Sequence, residues 1–99
     1  MTISVKVQSK GKEVLVAAAD SDLLGRTFRS GSLRIHVSRE FYEGDLLDEE
    51  AFVSRLEMAT VANLVGKEAV GAAIEHGFVN AECVLEIGGV PHAQMARMI

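Results

Sequence analysis

One cysteine in 99 residues leaves no partner for an internal disulfide, the usage expected of a chain from a reducing compartment. Apolar runs are short, Val14 to Ala19 being typical, and none nears the roughly 20 residues that cross a bilayer. The opening Met1-Thr2-Ile3-Ser4-Val5-Lys6 lacks the basic-then-apolar pattern of a secretory leader and reads as a strand. A cytoplasmic chain without a membrane partner is therefore expected. No internal repeat, low-complexity tract or interdomain linker interrupts residues 1–99, which are read as a single compact domain. Two further absences concern charge. From Arg26 to Arg39 there is no acid, and from Glu40 to Glu50 there is no base.

What fills those stretches is equally one-sided. The first holds four arginines (Arg26, Arg29, Arg34, Arg39) and His36, and the second holds six acids, so a net charge of -4 hides two opposed blocks. Hydrophobic residues make up 48%, too many for a disordered chain and enough for a core. A domain of this size buries only about 60–65% of its extended-chain surface, so its stability is expected to be modest unless it oligomerises.

Along the chain, Ile3, Val5 and Val7 alternate with polar residues as in a half-buried strand. A turn at Ser9–Lys12 leads into a second strand over Glu13–Ala18. Asp20 or Ser21 is placed to cap a very short helix ending at Gly25, and Arg26–Arg29 reads as a connector. After Ser30-Gly31-Ser32, a third strand turns Leu33, Ile35 and Val37 inward and Arg34 and His36 outward. Asp45 is the expected cap of a helix carrying Phe52, Leu56, Ala59, Ala62 and Leu64 and interrupted by Gly66. Lys67–His76 forms a second helix with Gly77 as its left-handed stop and Phe78 closing over its end. A strand over Cys83–Ile87 precedes Gly88-Gly89-Val90-Pro91-His92, and Ala93–Ile99 is a short strand or a last helical turn. This order gives an α/β (α+β) domain of two layers, a small mixed sheet covered on one face by helices.

Three segments carry a family resemblance: Asp22-Leu23-Leu24-Gly25-Arg26-Thr27-Phe28-Arg29, Ala59-Thr60-Val61-Ala62-Asn63-Leu64-Val65-Gly66 and Ile87-Gly88-Gly89-Val90-Pro91-His92-Ala93-Gln94. They resemble a small archaeal family known as domain of unknown function 424. The resemblance runs over essentially the whole chain. It implies a compact α/β protein of an archaeal cytoplasm and an association with translation or RNA. It implies no reaction, cofactor or catalytic residue.

The arginine block is the first candidate site. Guanidinium groups give planar, bidentate contacts to phosphate, and the turn at Gly31 adds backbone donors. Arg26, Arg29, Arg34, His36 and Arg39 are the candidate RNA- or phosphate-binding residues, unless they pair with Glu40, Glu43 and the acids that follow. The polar faces of these strands lack aromatic residues, which points to backbone recognition rather than base stacking. The second candidate is a ligand loop of Gly88, Gly89, Pro91, His92 and Gln94, with Asn63 as a further polar group. It has neither the lysine of a phosphate-binding P-loop nor the glycine offsets of a dinucleotide fingerprint. A tight strand-ending turn accounts for the same residues.

Cys83 alternates with Leu85 and Ile87 and reads as core, although a nucleophilic pair with His92 would be the chemical alternative. His36, His76 and His92 are far apart in sequence, so no metal site and no cofactor are predicted. The favoured function is a non-enzymatic accessory module contacting RNA or a ribonucleoprotein. The alternatives are a small metabolite-binding protein or enzyme using the Gly88–His92 loop, and a protein-interaction domain that meets a partner or a second copy through its opposed charges. Phe41 and Tyr42, if exposed, would anchor that last interface.

Overall fold

The computed structural model describes residues 2–97. A six-stranded mixed sheet forms its centre, in the order β5-β1-β2-β6-β8-β7. Strands β1 (Ile3–Lys10) and β2 (Glu13–Asp20) make the expected leading hairpin, in register from Ile3↔Asp20 to Lys10↔Glu13. Strand β2 then runs parallel to β6 (Val61–Val65), while all other pairings in the sheet are antiparallel. Strand β5 (Asp45–Leu47) edges the sheet beside β1, and β7 (Leu85–Ile87) edges it beside β8 (Val90–Ala96).

The period-two pattern sorts side chains to two faces. Ile3, Val5, Val16, Ala18, Ala62, Leu64, Ala93 and Met95 point to one face, where helices α2 (Glu49–Met58) and α3 (Lys67–Glu75) bury Phe52, Leu56, Ala69, Val70 and Ala73 against them. This is the helix-covered layer that the alternation implied. On the opposite face, one end is covered by a separate two-stranded hairpin, β3 (Thr27–Ser30) and β4 (Leu33–His36), and by the single-turn helix α1 (Arg39–Tyr42). Phe28, Ile35, Val37, Leu23 and Tyr42 pack there on Ala17, Ala19 and Val65.

Several local expectations change. The helix capped at Asp45 begins instead after Asp48, whose carboxylate accepts from Ala51 N at 2.9 Å, and Asp45 lies in β5. It ends at Met58 rather than reaching Leu64. Thr60 breaks it by turning to β2: Thr60 N donates to Val14 O, and Thr60 Oγ1 accepts from Val14 N, both at 2.9 Å. The following Val-Ala-Asn-Leu-Val then fills the open edge of β2, where β-branched residues suit a pleated surface. Ala59 and Ala62 are three apart, a helical spacing, but Ala62 and Leu64 are two apart, and the strand partner decides between them.

Arg26–Arg29 is not merely a connector, because Thr27–Ser30 is a strand that pairs with β4. Asp20 and Ser21 lead into a single 3-10 turn, Ser21–Leu23, with Gly25 (φ 82°) as its exit. Ala81–Cys83 is another such turn, so Cys83 is exposed and not core. Leu33 is 45% exposed, whereas Val37 is fully buried. The tail expectation resolves as strand through Ala96, and Met98 and Ile99 lie outside the described residues. Among the described residues no helix is long and apolar enough to cross a membrane.

Candidate nucleic-acid interface

Strands β3 and β4 turn through Gly31 and Ser32, with Gly31 at φ 60° in the first central position of the tight turn. Pairing puts Phe28 opposite Ile35 on the inner, half-buried face. Thr27 is opposite His36 and Arg29 opposite Arg34 on the outer face, and all four are exposed. Gly25 N donates to Val37 O at 2.7 Å and Val37 N to Arg26 O at 2.9 Å, closing the base of the hairpin. Thr27 Oγ1 and His36 Nδ1 are hydrogen-bonded at 2.8 Å. The Arg26 guanidinium lies 5.1 Å from the centre of the Phe28 ring.

The arginine block therefore divides. Among the described residues no carboxylate lies within 4.0 Å of Arg26, Arg29 or Arg34, whereas Arg39 pairs with Glu43 at 3.1 Å. Arg39 sits against Gly25 at the hairpin base and is an internal ion-pair partner, the alternative weighed for the whole block. Lys6 stands apart on β1 and donates to Glu40 O.

The glycine loop is a structural turn that holds this hairpin. Gly88 and Gly89 have φ of 60° and 80° between the paired residues Ile87 and Val90, the backbone of a type I′ hairpin turn. Gly88 N donates to Ser30 Oγ at 2.6 Å. A Cβ on Gly88 would come within 3.0 Å of both Arg29 N and Arg29 O. The two candidate segments thus meet, but the Gly88 amide is committed to the hairpin and not offered to a ligand.

Asn63, Gln94 and His92 share the sheet face that the hairpin leaves open. Gln94 is directly opposite Asn63 and donates from Nε2 to its Oδ1 at 3.0 Å, and His92 is two residues earlier on the same strand. Burial pushes the His92 imidazole below its usual range. A shallow depression of about 370 Å³ is lined by Cys83, Leu85, His92 and Gln94. Pro91 faces the other way, toward α3, and its carbonyl accepts from Gly66 N at 2.9 Å.

The amino end of α3 looks at first like an anion site, beside a depression of about 260 Å³ lined by Asp20, Leu23, Lys67 and Pro91. The chain fills it itself. Asp20 carboxylate oxygens accept from Glu68 N at 3.0 Å and Ala69 N at 2.9 Å, and a Cβ on Gly66 (φ 110°) would strike Asp20 Cγ. Desolvation by burial raises the Asp20 carboxyl above its ordinary value, against the lowering pull of these two amides.

Two groupings escaped sequence reading because their members are distant in the chain. Glu49, Glu75 and His76 converge where α2 begins and α3 ends, with His76 Nε2 3.3 Å from Glu49 Oε2. All three are exposed, and that contact explains the cluster as a hydrogen bond joining the two helices. Arg97 donates to the carbonyls of Leu56, Glu57 and Ala59, capping the end of α2, and lies 5.8 Å from the Phe78 ring centre. The anchors suggested for a protein interface are not available: Tyr42 is buried and Phe41 half-buried, in an edge-on pair 4.8 Å apart.

With this geometry in place, comparisons identify relatives. The family model described as "Protein of unknown function (DUF424)" matches residues 7–98. No curated protein matches the chain. The crystal structure of an uncharacterized conserved protein from Methanopyrus kandleri superposes with a TM-score of 0.77 at 23% identity, covering 100% of this chain and 96% of that one. At that identity the likeness establishes the shared fold.

Proposed function

This chain belongs to the DUF424 family, and we propose that it is a non-enzymatic binding module whose ligand is the phosphate backbone of RNA, free or within a ribonucleoprotein. The observation that carries this reading is the placement of Arg29 directly opposite Arg34 on an exposed hairpin face, with no carboxylate of the described residues within 4.0 Å of either. Like charges opposed across two strands destabilise a hairpin. A phosphate between them removes that repulsion and accepts planar, bidentate hydrogen bonds from both guanidinium groups. Arg26, the Thr27–His36 pair and the exposed Gly31–Ser32 turn extend the same donor-rich surface. With a net charge of -4, attraction of a polyanion has to come from a local basic patch such as this one.

The test is binding of labelled host RNA to the full chain across a salt series, with Arg29→Ala/Arg34→Ala alongside. Losing two phosphate contacts should lower the slope of log affinity against log salt by about 1.4 to 1.8. Equal affinity and slope for the wild type and the double variant would overturn the proposal.

A second reading rests on a different observation, the convergence of Asn63, Gln94 and His92 beside the Cys83 depression. That surface suits a small polar ligand held by amides and a neutral imidazole. Chemical-shift changes confined to these residues on adding a metabolite mixture, with the hairpin unmoved, would favour it over RNA.

A further inference from the structure

Resting on the phosphate-binding reading, we infer that the RNA held by the hairpin is paired, an A-form duplex, and that the protein recognises its shape and not its bases. Proteins that read unpaired RNA splay bases out and stack them on accessible aromatic rings. This chain has four phenylalanines and one tyrosine, and none is exposed. Tyr42 and Phe52 are buried, while Phe28, Phe41 and Phe78 are half-buried and packed against the two cores. Phe28, the hairpin's own aromatic, is on its inner face under Arg26. On the open part of the six-stranded sheet, where a sheet-based single-strand reader sets its rings, stand the amides of Asn63 and Gln94 and the half-buried His92.

What the hairpin presents suits a duplex. The backbones of an A-form helix border a wide, shallow minor groove that displays the ribose 2′-hydroxyls, so a cationic ridge laid along the edge of that groove meets phosphates and 2′-hydroxyls together. Arg29 and Arg34 rise from adjacent strands, with Cα atoms about 5 Å apart, and from the same face. One step along that face is the Thr27–His36 pair, whose hydroxyl and second ring nitrogen can meet a ribose 2′-hydroxyl. That group would separate RNA from DNA without any contact to a base.

The experiment is fluorescence anisotropy of the full chain with three end-labelled probes. They are an RNA duplex of about 20 base pairs, long enough to span successive grooves, one of its strands alone, and the DNA duplex of the same sequence. The RNA duplex should bind about tenfold tighter than either other probe, and scrambling its sequence should change little. The Arg29→Ala/Arg34→Ala variant, checked for an unchanged circular dichroism spectrum, should lose that binding. If the single strand binds as tightly as the duplex and still depends on the two arginines, the duplex inference is overturned while phosphate binding stands. If no probe binds at low salt, or the double variant binds like the wild type, the phosphate reading fails and takes this inference with it.

Discussion

Gly88 lies so close to Arg29 that a single added carbon would come within 3.0 Å of that residue's amide nitrogen and carbonyl oxygen. Its φ of 60° is also one that side-chain-bearing residues rarely adopt. Gly88→Ala should therefore cost about 1–2 kcal/mol and lower the melting temperature by several degrees. The displaced β3 should also weaken RNA binding. Gly89, with nothing within 4 Å of a Cβ, is the control: Gly89→Ala carries the backbone strain alone and should spare RNA affinity. Thermal melts and RNA titrations of both variants decide this. Equal loss of RNA affinity in the two would disconnect the turn from the hairpin.

Much of the fold was legible because local signals agreed with the tertiary outcome. The β1–β2 hairpin follows from alternation, and α3 ends where Gly77, at φ 81°, lets Phe78 N reach back to Ala73 O at 2.8 Å. The strand at Val61–Val65 was hidden because its apolar spacing is compatible with both periods and its partner β2 lies over 40 residues away in sequence. Cys83 carried a strand pattern, but the 3-10 turn at Ala81–Cys83 moves it into solvent. Of the candidate site, the exposure of Arg34 and His36 followed from their alternation with Leu33, Ile35 and Val37. The cross-strand opposition of Arg29 and Arg34 could not be seen while Arg26–Arg29 was read as a connector. Nor could sequence reveal that Arg39 is paired, since Glu40, Glu43 and Asp45 were all available partners and only geometry selects Glu43.

That division of the arginines is itself testable. Arg39→Ala removes an exposed i,i+4 ion pair at a helix of one turn, so stability should change by less than about 0.5 kcal/mol. Its effect on RNA affinity should be well below that of Arg34→Ala. Isotherms of the two single variants at one low salt concentration compare them directly. A larger loss for Arg39→Ala would move the phosphate contacts from the hairpin face to its base.

Asp20 makes stability depend on pH in an unusual direction for a carboxylate. Burial raises its pKa above 3.8, so between that value and its folded value the native chain holds more proton than the unfolded one. Stability from this group is then greatest below 3.8 and declines as pH rises through the folded value. Asp20→Asn, neutral at every pH and keeping an acceptor for one of the two α3 amides, should remove that decline while losing the other bond. Asp20→Ala should lose the two amide bonds and cost about 1–2 kcal/mol. Urea midpoints of the wild type and both variants, taken from acid to neutral pH, test the sign. A wild-type chain that gains on Asp20→Asn as pH rises would show the opposite linkage.

His92 acts in the reverse sense, and the two groups can be separated. Burial lowers the imidazole below 6.5, so between its folded value and 6.5 the unfolded chain binds more proton than the folded one. Its contribution is fully present above 6.5 and is lost as pH falls through the folded value. The cause is local: His92 is half-buried on β8 between Val65 and Leu85, directly opposite both, and charging it there forfeits hydration. His92→Gln keeps a polar side chain and cannot charge. Comparing urea midpoints at about pH 7.5 and about pH 5, the wild type should lose more stability than the variant. Parallel losses would place the acid sensitivity elsewhere. The single bond from Gln94 Nε2 to Asn63 Oδ1 uses one atom of each amide on the same face as this ring. A ligand that binds this face through the neutral imidazole should bind more weakly on acidification, by up to tenfold for each pH unit below the folded pKa. RNA on the hairpin, which does not touch His92, should not follow that profile.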